Sequence, residues 1–276
     1  MTTQEFSEQF DTLYNQQYYM LFSIQNPVAL DEYEKSMFLT KAQENVVEAL
    51  YRSGYGVPEG FEKTEYARRI LQKLVVSAHG VLVDEDIPEI LADENSKLFI
   101  VPEVYYENVI GIYGIIYERA TFGGEDSCAK GKTADIIPVK HDELHRILRN
   151  PFKGPSLRRV LRVDQSGLTN QNDYVTYGDL SYNDTYGFPV ELISKYPIAD
   201  YYVRYVRRPY PIILVDLPED APSIEGCKDI MECELNPAVH KTILEEAVKL
   251  ALASKTLNTI PTVPQPKESK NKDAGE

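Results

Sequence analysis

Residues 201–215 read YYVRYVRRPYPIILV, and an Asn-Pro pair at 236–237 then opens a long apolar segment. Aromatic and β-branched residues favour extended structure, so the run predicts a strand rich in Tyr and Arg. Asn236 is a preferred helix N-cap, and Pro237 suits the first helical position. A basic, aromatic strand followed by an apolar helix is typical of surfaces that other proteins cover. We therefore predict assembly, and not catalysis, as the role of this region.

The helix predicted over residues 236–255 carries apolar side chains on most of its circumference. Such a helix lies either in the middle of a large core, which is the more common case, or between neighbouring subunits. Both alternatives remain open at the level of sequence. Under the second alternative, the candidate subunit contacts from this helix are Val239, Ile243, Leu244 and Leu250.

The rest of the chain changes from helical to strand periodicity. Apolar residues at helical spacing predict helices over 5–20, 31–51 and 64–77, with Asp31 and Glu34 at capping-box spacing, so residues 1–80 form a helical hairpin or small bundle. Residues 81–218 are β-rich, and strand-like runs occupy 98–102, 104–120, 156–163, 203–206 and 212–215. The predicted fold class is α+β, with a central, mainly antiparallel sheet and an apolar C-terminal helix. We expect one domain over 1–256 and a flexible, Pro- and Lys-containing tail over 257–276.

Composition limits the possible functions. The chain has 276 residues and a formal net charge of −14, which argues against a free-standing DNA-binding protein, because such proteins neutralise phosphates with Lys and Arg. Three cysteines are too few for a disulfide scaffold and, with an N-terminus unlike a signal peptide, predict a reducing compartment. The apolar runs are shorter than the roughly 20 residues that a membrane-spanning helix needs. We therefore expect no membrane association.

Several partial motifs resemble catalytic or ligand sites but lack required members. His141 and His145 have the spacing of a zinc-protease helix, yet Asp142 stands where the general-base Glu belongs. Residues 131–133 end like a phosphate-binding loop, but Asp126 occupies the position of its first glycine. Cys227 and Cys233 lack a second pair at ligand spacing. We predict no catalytic residue, no cofactor and no metal site.

One cluster of charged residues remains as a candidate interface. Positive charge is concentrated near two predicted strands of an otherwise acidic chain, and tyrosines lie among the cations. The candidate residues are Arg158, Arg159, Arg162, Arg204, Arg207, Arg208, Tyr205 and Tyr210. The guanidinium groups could pair with carboxylates of a neighbouring copy, face a passing nucleic acid, or simply be solvated. We favour pairing between subunits, which predicts an oligomer that loosens in high salt.

Four segments resemble structural proteins of tailed bacteriophages. They are DEYEKSMFLTKAQ (31–43), LRNPFK (148–153), VRYVRRPYPIIL (203–214) and ELNPAVH (234–240). More narrowly, the chain is similar to the portal-proximal ring or adaptor proteins, also called head-to-tail connector proteins, of crAss-like phages of gut Bacteroidales. The resemblance extends from about residue 31 to residue 254.

The resemblance implies a non-enzymatic virion protein, assembled in the bacterial host cytoplasm. It implies a homo-oligomeric ring, a dodecamer, that lies beneath the portal protein, lines the genome passage and docks neighbouring ring or tail proteins. Phage DNA would pass close by without specific binding. Two alternatives remain: another virion subunit, for capsid decoration or fibre attachment, and a cytosolic enzyme with an unrecognised site.

Overall fold

A computed structural model describes most of the chain. The described residues are 1–22, 29–52, 64–83, 96–102, 111–124, 128–164, 181–182 and 185–258. The predicted strand residues 104–110 and all but the first two residues of the predicted tail lie outside these ranges. Within them, the predicted α+β class and the mainly antiparallel sheet are confirmed.

Five α-helices are described. They are α1 (Thr3–Phe22), α2 (Glu32–Arg52), α3 (Glu65–Leu71), α4 (Leu144–Leu148) and α5 (His240–Asn258). The predicted capping box is present, because Glu34 N donates to Asp31 Oδ1 at 2.6 Å and Asp31 N donates to Glu34 Oε2 at 3.3 Å. Asn236 Oδ1 accepts from Ala238 N at 3.0 Å, which confirms the predicted N-cap ahead of α5. In the described ranges, every helix is too short or too polar to cross a bilayer.

The strands form one sheet. They are β1 (Val75–His79), β2 (Val81–Leu82), β3 (Ser96–Pro102), β4 (Ile112–Phe122), β5 (Thr133–Pro138), β6 (Arg159–Asp164), β7 (Ser181–Tyr182), β8 (Thr185–Ile193) and β9 (Ile198–Arg207). Their order is β1-β9-β4-β5-β6-β8-β3-β2, and β7 pairs with β8. Among the described strand pairs, β5 and β6 run parallel and the others are antiparallel.

The sheet closes on itself through Gly80. Strands β1 and β2 stand at opposite ends of the order, yet only Gly80 separates them along the chain. Gly80 N donates to Tyr201 O at 2.8 Å, and Val83 N donates to Leu98 O at 3.0 Å, so one continuous segment pairs with β9 and then with β3. A Cβ atom at residue 80 would lie 2.3 Å from the Tyr201 ring, which explains the glycine. The described strands thus form a small closed barrel of seven strands, in which β1, Gly80 and β2 count as one strand and β7 lies outside the barrel. Closure removes exposed sheet edges.

Alternating residues of the strands fill the barrel. Side chains of one face of each strand form a buried apolar cluster, and the other face points outward, as the two-residue period of a strand requires. The cluster includes Phe99, Phe122, Val160, Leu192, Tyr201, Val203 and Tyr205. A smaller cluster beneath α4 joins Leu144 to Leu161, Val163 and Ile193 on the outside of β6 and β8.

The helices α1, α2, α3 and α5 pack together in a separate apolar cluster that also takes in Val206, Ile212 and Leu214. The helix α5 packs against α1 and α2, and its apolar residues are buried in this cluster, so it lies within its own chain's core. A buried lysine links α1 to α2, because Lys35 Nζ lies 2.7 Å from Asp11 and 2.9 Å from Glu32. The described structure thus favours the core alternative for the C-terminal helix.

Two local predictions are wrong. Residues 212–215 are not a sheet strand. Ile213 forms only an isolated antiparallel bridge with Met231, and side chains of α2 bind the backbone on either side of it: Ser36 Oγ accepts from Leu214 N and Thr40 Oγ1 accepts from Ile212 N, both at 3.0 Å. These hydroxyl groups satisfy the polar backbone that a neighbouring strand would otherwise pair. The helix predicted to reach residue 77 ends in a 3-10 turn at Leu74, because Val75 and the residues after it pair with β9. Tertiary pairing overrides the helical period there.

Candidate interface surfaces

An exposed phenylalanine stands on a well-bonded turn between α4 and β6. Asn150 O accepts from Lys153 N at 3.1 Å and from Gly154 N at 2.9 Å, while Asn150 Oδ1 accepts from Phe152 N at 2.9 Å. Arg159 Nη1 donates to Phe152 O at 3.1 Å. Phe152 as a residue is nevertheless 90% exposed. Residues 150–154, which we call the Phe152 turn, therefore present a large apolar side chain on a fixed backbone.

The segment that carries the Phe152 turn is strongly basic, although Asp135 of the adjoining strand β5 is the register partner of Arg159. Residues 144–163 contain six Arg or Lys and no Asp or Glu, in a chain whose net charge is −14. Arg149, Lys153 and Arg158 are exposed, and Arg159 is half-buried beneath the turn. Two of the predicted interface residues, Arg158 and Arg159, thus flank the exposed phenylalanine.

Arg204 lies on a different basic surface, the outer face of β9. Its guanidinium donates to Ser77 Oγ at 3.2 Å and to Tyr202 OH at 3.1 Å, which holds it flat on the barrel. Together with Arg68 and Arg69 of α3 it lines an open groove of about 680 Å³. Arg69 is already paired with Glu65 at 2.7 Å, so the groove is only partly a free positive surface.

Arg162 points into the barrel instead of outward. Its Nη1 lies 3.0 Å from Glu118 Oε2, and Tyr201 OH donates to Glu118 Oε1 at 2.5 Å. The Arg–Glu pair is at ion-pair distance but without hydrogen-bond alignment, so its attraction is mainly Coulombic. Burial raises the pKa of Glu118, and the Arg162 charge opposes that effect. This predicted interface residue therefore neutralises a carboxylate in the barrel interior.

Arg207 and its neighbours also serve internal contacts. Arg207 forms a two-point ion pair with Glu234, at 2.9 and 2.5 Å, and stacks 4.6 Å from the centre of the Tyr210 ring. Glu234 also accepts from Tyr210 N at 2.8 Å. Tyr205 is buried in the barrel and donates to Pro102 O at 2.7 Å. The contacts of Arg207 and Tyr210 with Glu234 hold the end of β9 against the segment that precedes α5, whereas Tyr205 links β9 to the end of β3.

The remaining predicted contacts divide between core and surface. Val239, Ile243 and Leu244 are buried in the helical cluster of their own chain, and Leu250 is half-buried against it. Arg208 is exposed, and its Nη1 lies 3.9 Å from Glu44 Oε1. The twelve predicted residues therefore do not form one surface. Those that reach solvent lie near the Phe152 turn, on the outside of β9, or beside Glu44.

An apolar groove lies between α2 and the turn at 223–225, on the side where Arg208 follows β9. We call it the α2 groove; it has a volume of about 530 Å³ and is lined by Tyr33, Glu34, Met37, Phe38, Thr40, Lys41, Glu44, Ser223, Ile224 and Glu225. Met37 is 48% exposed, whereas Ile224 is buried at its floor. Three of the lining residues are acidic and one is basic. The groove is thus apolar inside and negatively charged at its rim.

Two carboxyl groups meet at this rim. Burial, reinforced by the adjoining Glu44, raises the pKa of Glu225 to about 7. Burial alone would raise the pKa of Glu44 as well, but hydrogen bonds with Lys41 and Glu225 outweigh it and lower that pKa. Glu225 therefore holds a proton that Glu44 accepts. The backbone of Glu225 has a φ of 49° and Gly226 one of 81°, as in a two-residue type I′ hairpin turn.

Glu225→Gln is expected to change the pH dependence of stability. A folded-state pKa above the unfolded value means that the wild type loses stability as pH rises from about 4.5 to 7. The substitution should therefore raise the free energy of unfolding by about 1 kcal/mol at pH 8, after allowance for solvent screening, and hardly at all at pH 4.5. Urea unfolding at the two pH values measures this difference. Glu219→Gln, in the same exposed loop, is the control; an equal effect of Glu225→Gln at both pH values would contradict the assignment.

Metal-binding side chains do not converge within the described ranges. Groups of three or more His, Cys, Asp or Glu suited to a metal ion are absent there. His141 and His145 are both exposed, and Cys128, Cys227 and Cys233 are not joined by disulfide bonds. Burial raises the pKa of Cys233 to about 11, so this thiol is poorly reactive.

Sequence reasoning missed the two most distinctive surfaces. The sequence does contain a sign of the exposed Phe152: an aromatic residue stands inside the turn-forming segment Asn-Pro-Phe-Lys-Gly, where polar residues are usual. The α2 groove carries no sequence signal, because its walls come from residues about 180 positions apart.

Comparison with known proteins gives a consistent result. Residues 1–262 match the family described as phage tail ring protein 3/4. The chain is 41% identical, over 262 residues, to "Ring protein 3" of Bacteroides phage crAss001, which covers 93% of this chain and 97% of that protein. It is 31% identical, over 259 residues, to "Ring protein 4/5" of the same phage, covering 92% of this chain and 93% of that protein.

Proposed function

Because the chain belongs to the phage tail ring protein 3/4 family, whose members are structural proteins of the virion, we propose that it forms a homo-oligomeric ring in the head-to-tail connector. The observation that carries this proposal is the match over residues 1–262, which includes the helical cluster and the whole barrel. Similarity to two ring proteins of one phage over nine-tenths of the chain supports it.

The proposal places the ring beneath the portal protein of a crAss-like phage, as a dodecamer that docks neighbouring ring or tail proteins. The genome would pass through its centre without specific binding. The net charge of −14 suits that role, because an acidic wall repels phosphate groups and lets DNA slide. Assembly would take place in the cytoplasm of the bacterial host, and the role needs no catalysis.

The proposed ring should depend on salt. Exposed cations around the Phe152 turn and acidic groups near α2 favour electrostatic contacts between copies. These contacts weaken as the Debye length falls from about 10 Å at 0.1 M salt to about 3 Å at 1 M. Mass photometry of the purified chain should show ring-sized particles at 50 mM salt and predominantly smaller species at 1 M. Particles of one chain's mass, 31.4 kDa, at every salt and protein concentration would contradict the proposal.

A further inference from the structure

We propose that the ring is built by inserting Phe152 of one copy into the α2 groove of the next copy. This inference rests on the proposed ring function and adds to it the two surfaces that meet. The contact is head-to-tail, since the inserted residue and the receiving groove are different parts of the same chain. Contacts of this kind generate rings when the rotation between copies closes.

The two surfaces lie on opposite sides of the barrel. The Phe152 turn is bonded to Arg159, the first residue of β6. The α2 groove includes Glu44, whose carboxylate lies 3.9 Å from Arg208, the residue after the end of β9. Around the seven-stranded barrel, β4 and β5 separate β9 from β6 on one side, and β8, β3 and the β1–β2 segment separate them on the other. Strand β6 therefore lies across the barrel from β9. One copy can therefore offer its phenylalanine to one neighbour and its groove to the other.

The surfaces also occupy opposite ends of the barrel. Strand β6 runs parallel to β5, and both run in the same direction as β9, because β4 is antiparallel to β5 and to β9. The turn that begins β6 and the groove that follows β9 are consequently at diagonally opposed corners. Copies joined through these corners are expected to be tilted relative to the plane of the ring.

The chemistry of the two surfaces is complementary. An aromatic residue that is 90% exposed gains free energy by entering an apolar pocket, and Met37, Phe38 and Ile224 supply apolar walls. The groove volume of about 530 Å³ is within the range, about 300–1,000 Å³, of pockets that bind organic groups. The backbone of the turn is already ordered, so insertion costs little conformational entropy.

The charges around the two surfaces are of opposite sign. Arg149, Lys153 and Arg158 surround the phenylalanine without any acidic residue between positions 144 and 163. The groove lining carries Glu34 and Glu44 as carboxylates against the cation Lys41, and Glu225, whose pKa is about 7, adds a further negative charge as pH rises above neutrality. Such complementarity fixes the register of a contact and disfavours like-with-like pairing, because two Phe152 turns would bring cations together. A second copy of this chain is therefore the occupant that fits the groove.

Substitutions at either surface should weaken the ring. Phe152→Asp and Met37→Asp each place a carboxylate in the contact, and both residues are exposed in the single chain, so folding should be retained. We expect the protein concentration at which half the chains are assembled, measured by mass photometry, to rise at least tenfold for each variant. Tyr66→Asp is the matched control, since Tyr66 is similarly exposed on α3 but lies outside both surfaces. Circular dichroism verifies that the variants are folded.

A cross-linking experiment separates this contact from other contacts between copies. In a chain carrying Cys128→Ser and Cys227→Ser, one preparation receives Phe152→Cys and a second receives Met37→Cys. Mild oxidation of the mixture should produce covalent dimers, whereas neither preparation alone should do so, because Phe152 meets Met37 and not another Phe152.

The outcomes distinguish this inference from the function on which it rests. Rings that form normally with Phe152→Asp, or that give no mixed cross-link, would overturn the inference and leave the ring function standing. The same holds if Phe152 proves to contact a different virion protein. A wild-type chain that never assembles would overturn both.

Discussion

Arg162→Leu is expected to lower the free energy of unfolding by about 3–5 kcal/mol at neutral pH, as measured by urea denaturation. Arg162 and Glu118 are both about nine-tenths buried inside the barrel, at 3.0 Å from each other. Removal of the guanidinium leaves a buried carboxylate without its compensating charge. A buried charge left without its partner in low-dielectric surroundings is among the most destabilising results of a single substitution.

The charge explanation has two controls. Arg158→Leu, on the exposed residue just before β6, should change stability by less than about 0.5 kcal/mol. Combining Glu118→Leu with Arg162→Leu should restore part of the loss, because the buried carboxylate is then removed as well, while Asp164, the second partner of Arg162 at 3.1 Å, is half-exposed and solvated. Since burial already raises the pKa of Glu118, the deficit of the single variant should also shrink as pH falls and that carboxyl is protonated. A double variant as unstable as Arg162→Leu would contradict this account.

Ile243→Ala is expected to lower the free energy of unfolding by about 2–5 kcal/mol. Ile243 lies on α5 and is 0% exposed within the single chain, surrounded by residues of the helical cluster. The substitution removes apolar contacts and leaves a cavity, so the cost should be the same at every protein concentration. Urea denaturation at low and high concentration measures it.

A solvent-facing lysine of the same helix provides the comparison. Lys249→Ala should change stability by less than about 0.5 kcal/mol, because Lys249 is exposed and its pairing with Glu246, at 3.5 Å, is a surface contact. If Ile243→Ala destabilised only the assembled protein and left the isolated chain unchanged, α5 would be an interface helix and not a core helix.

Local patterns in the sequence predicted the elements that depend on local physics. The capping box of α2 and the Asn-Pro start before α5 form from residues a few positions apart, so their spacing was sufficient. The aromatic and β-branched residues around 201–206 likewise predicted a strand, but not that Tyr201, Val203 and Tyr205 face the barrel interior.

Features that depend on distant residues could not be predicted. Barrel closure requires β1 to meet β9 and β2 to meet β3, and nothing in the run around Gly80 indicates those partners. The segment 212–215 looks like a strand, but hydroxyl groups of α2, about 175 positions earlier, take the place of a neighbouring strand. Arg162 and Arg207 looked like surface cations because their partners, Glu118 and Glu234, are far from them in sequence.

The same limit applies to the candidate interface. Charge clustering drew attention to Arg158 and Arg159, which do lie beside the Phe152 turn. Charge clustering could not distinguish these two from Arg162 and Arg207, which form ion pairs within their own chain. Only the placement of β6 and β9 on opposite sides of a closed barrel relates the turn to the α2 groove.

A symmetry-resolved cryo-electron microscopy map of the assembled, purified chain would show both the ring and the contacts between its subunits. We expect a closed ring of identical subunits in which α5 of each subunit packs within that subunit. Neighbouring subunits should meet through two different faces, with Phe152 of one in the α2 groove of the next. Monomers, or two-fold dimers in which the same face meets itself, would contradict this expectation.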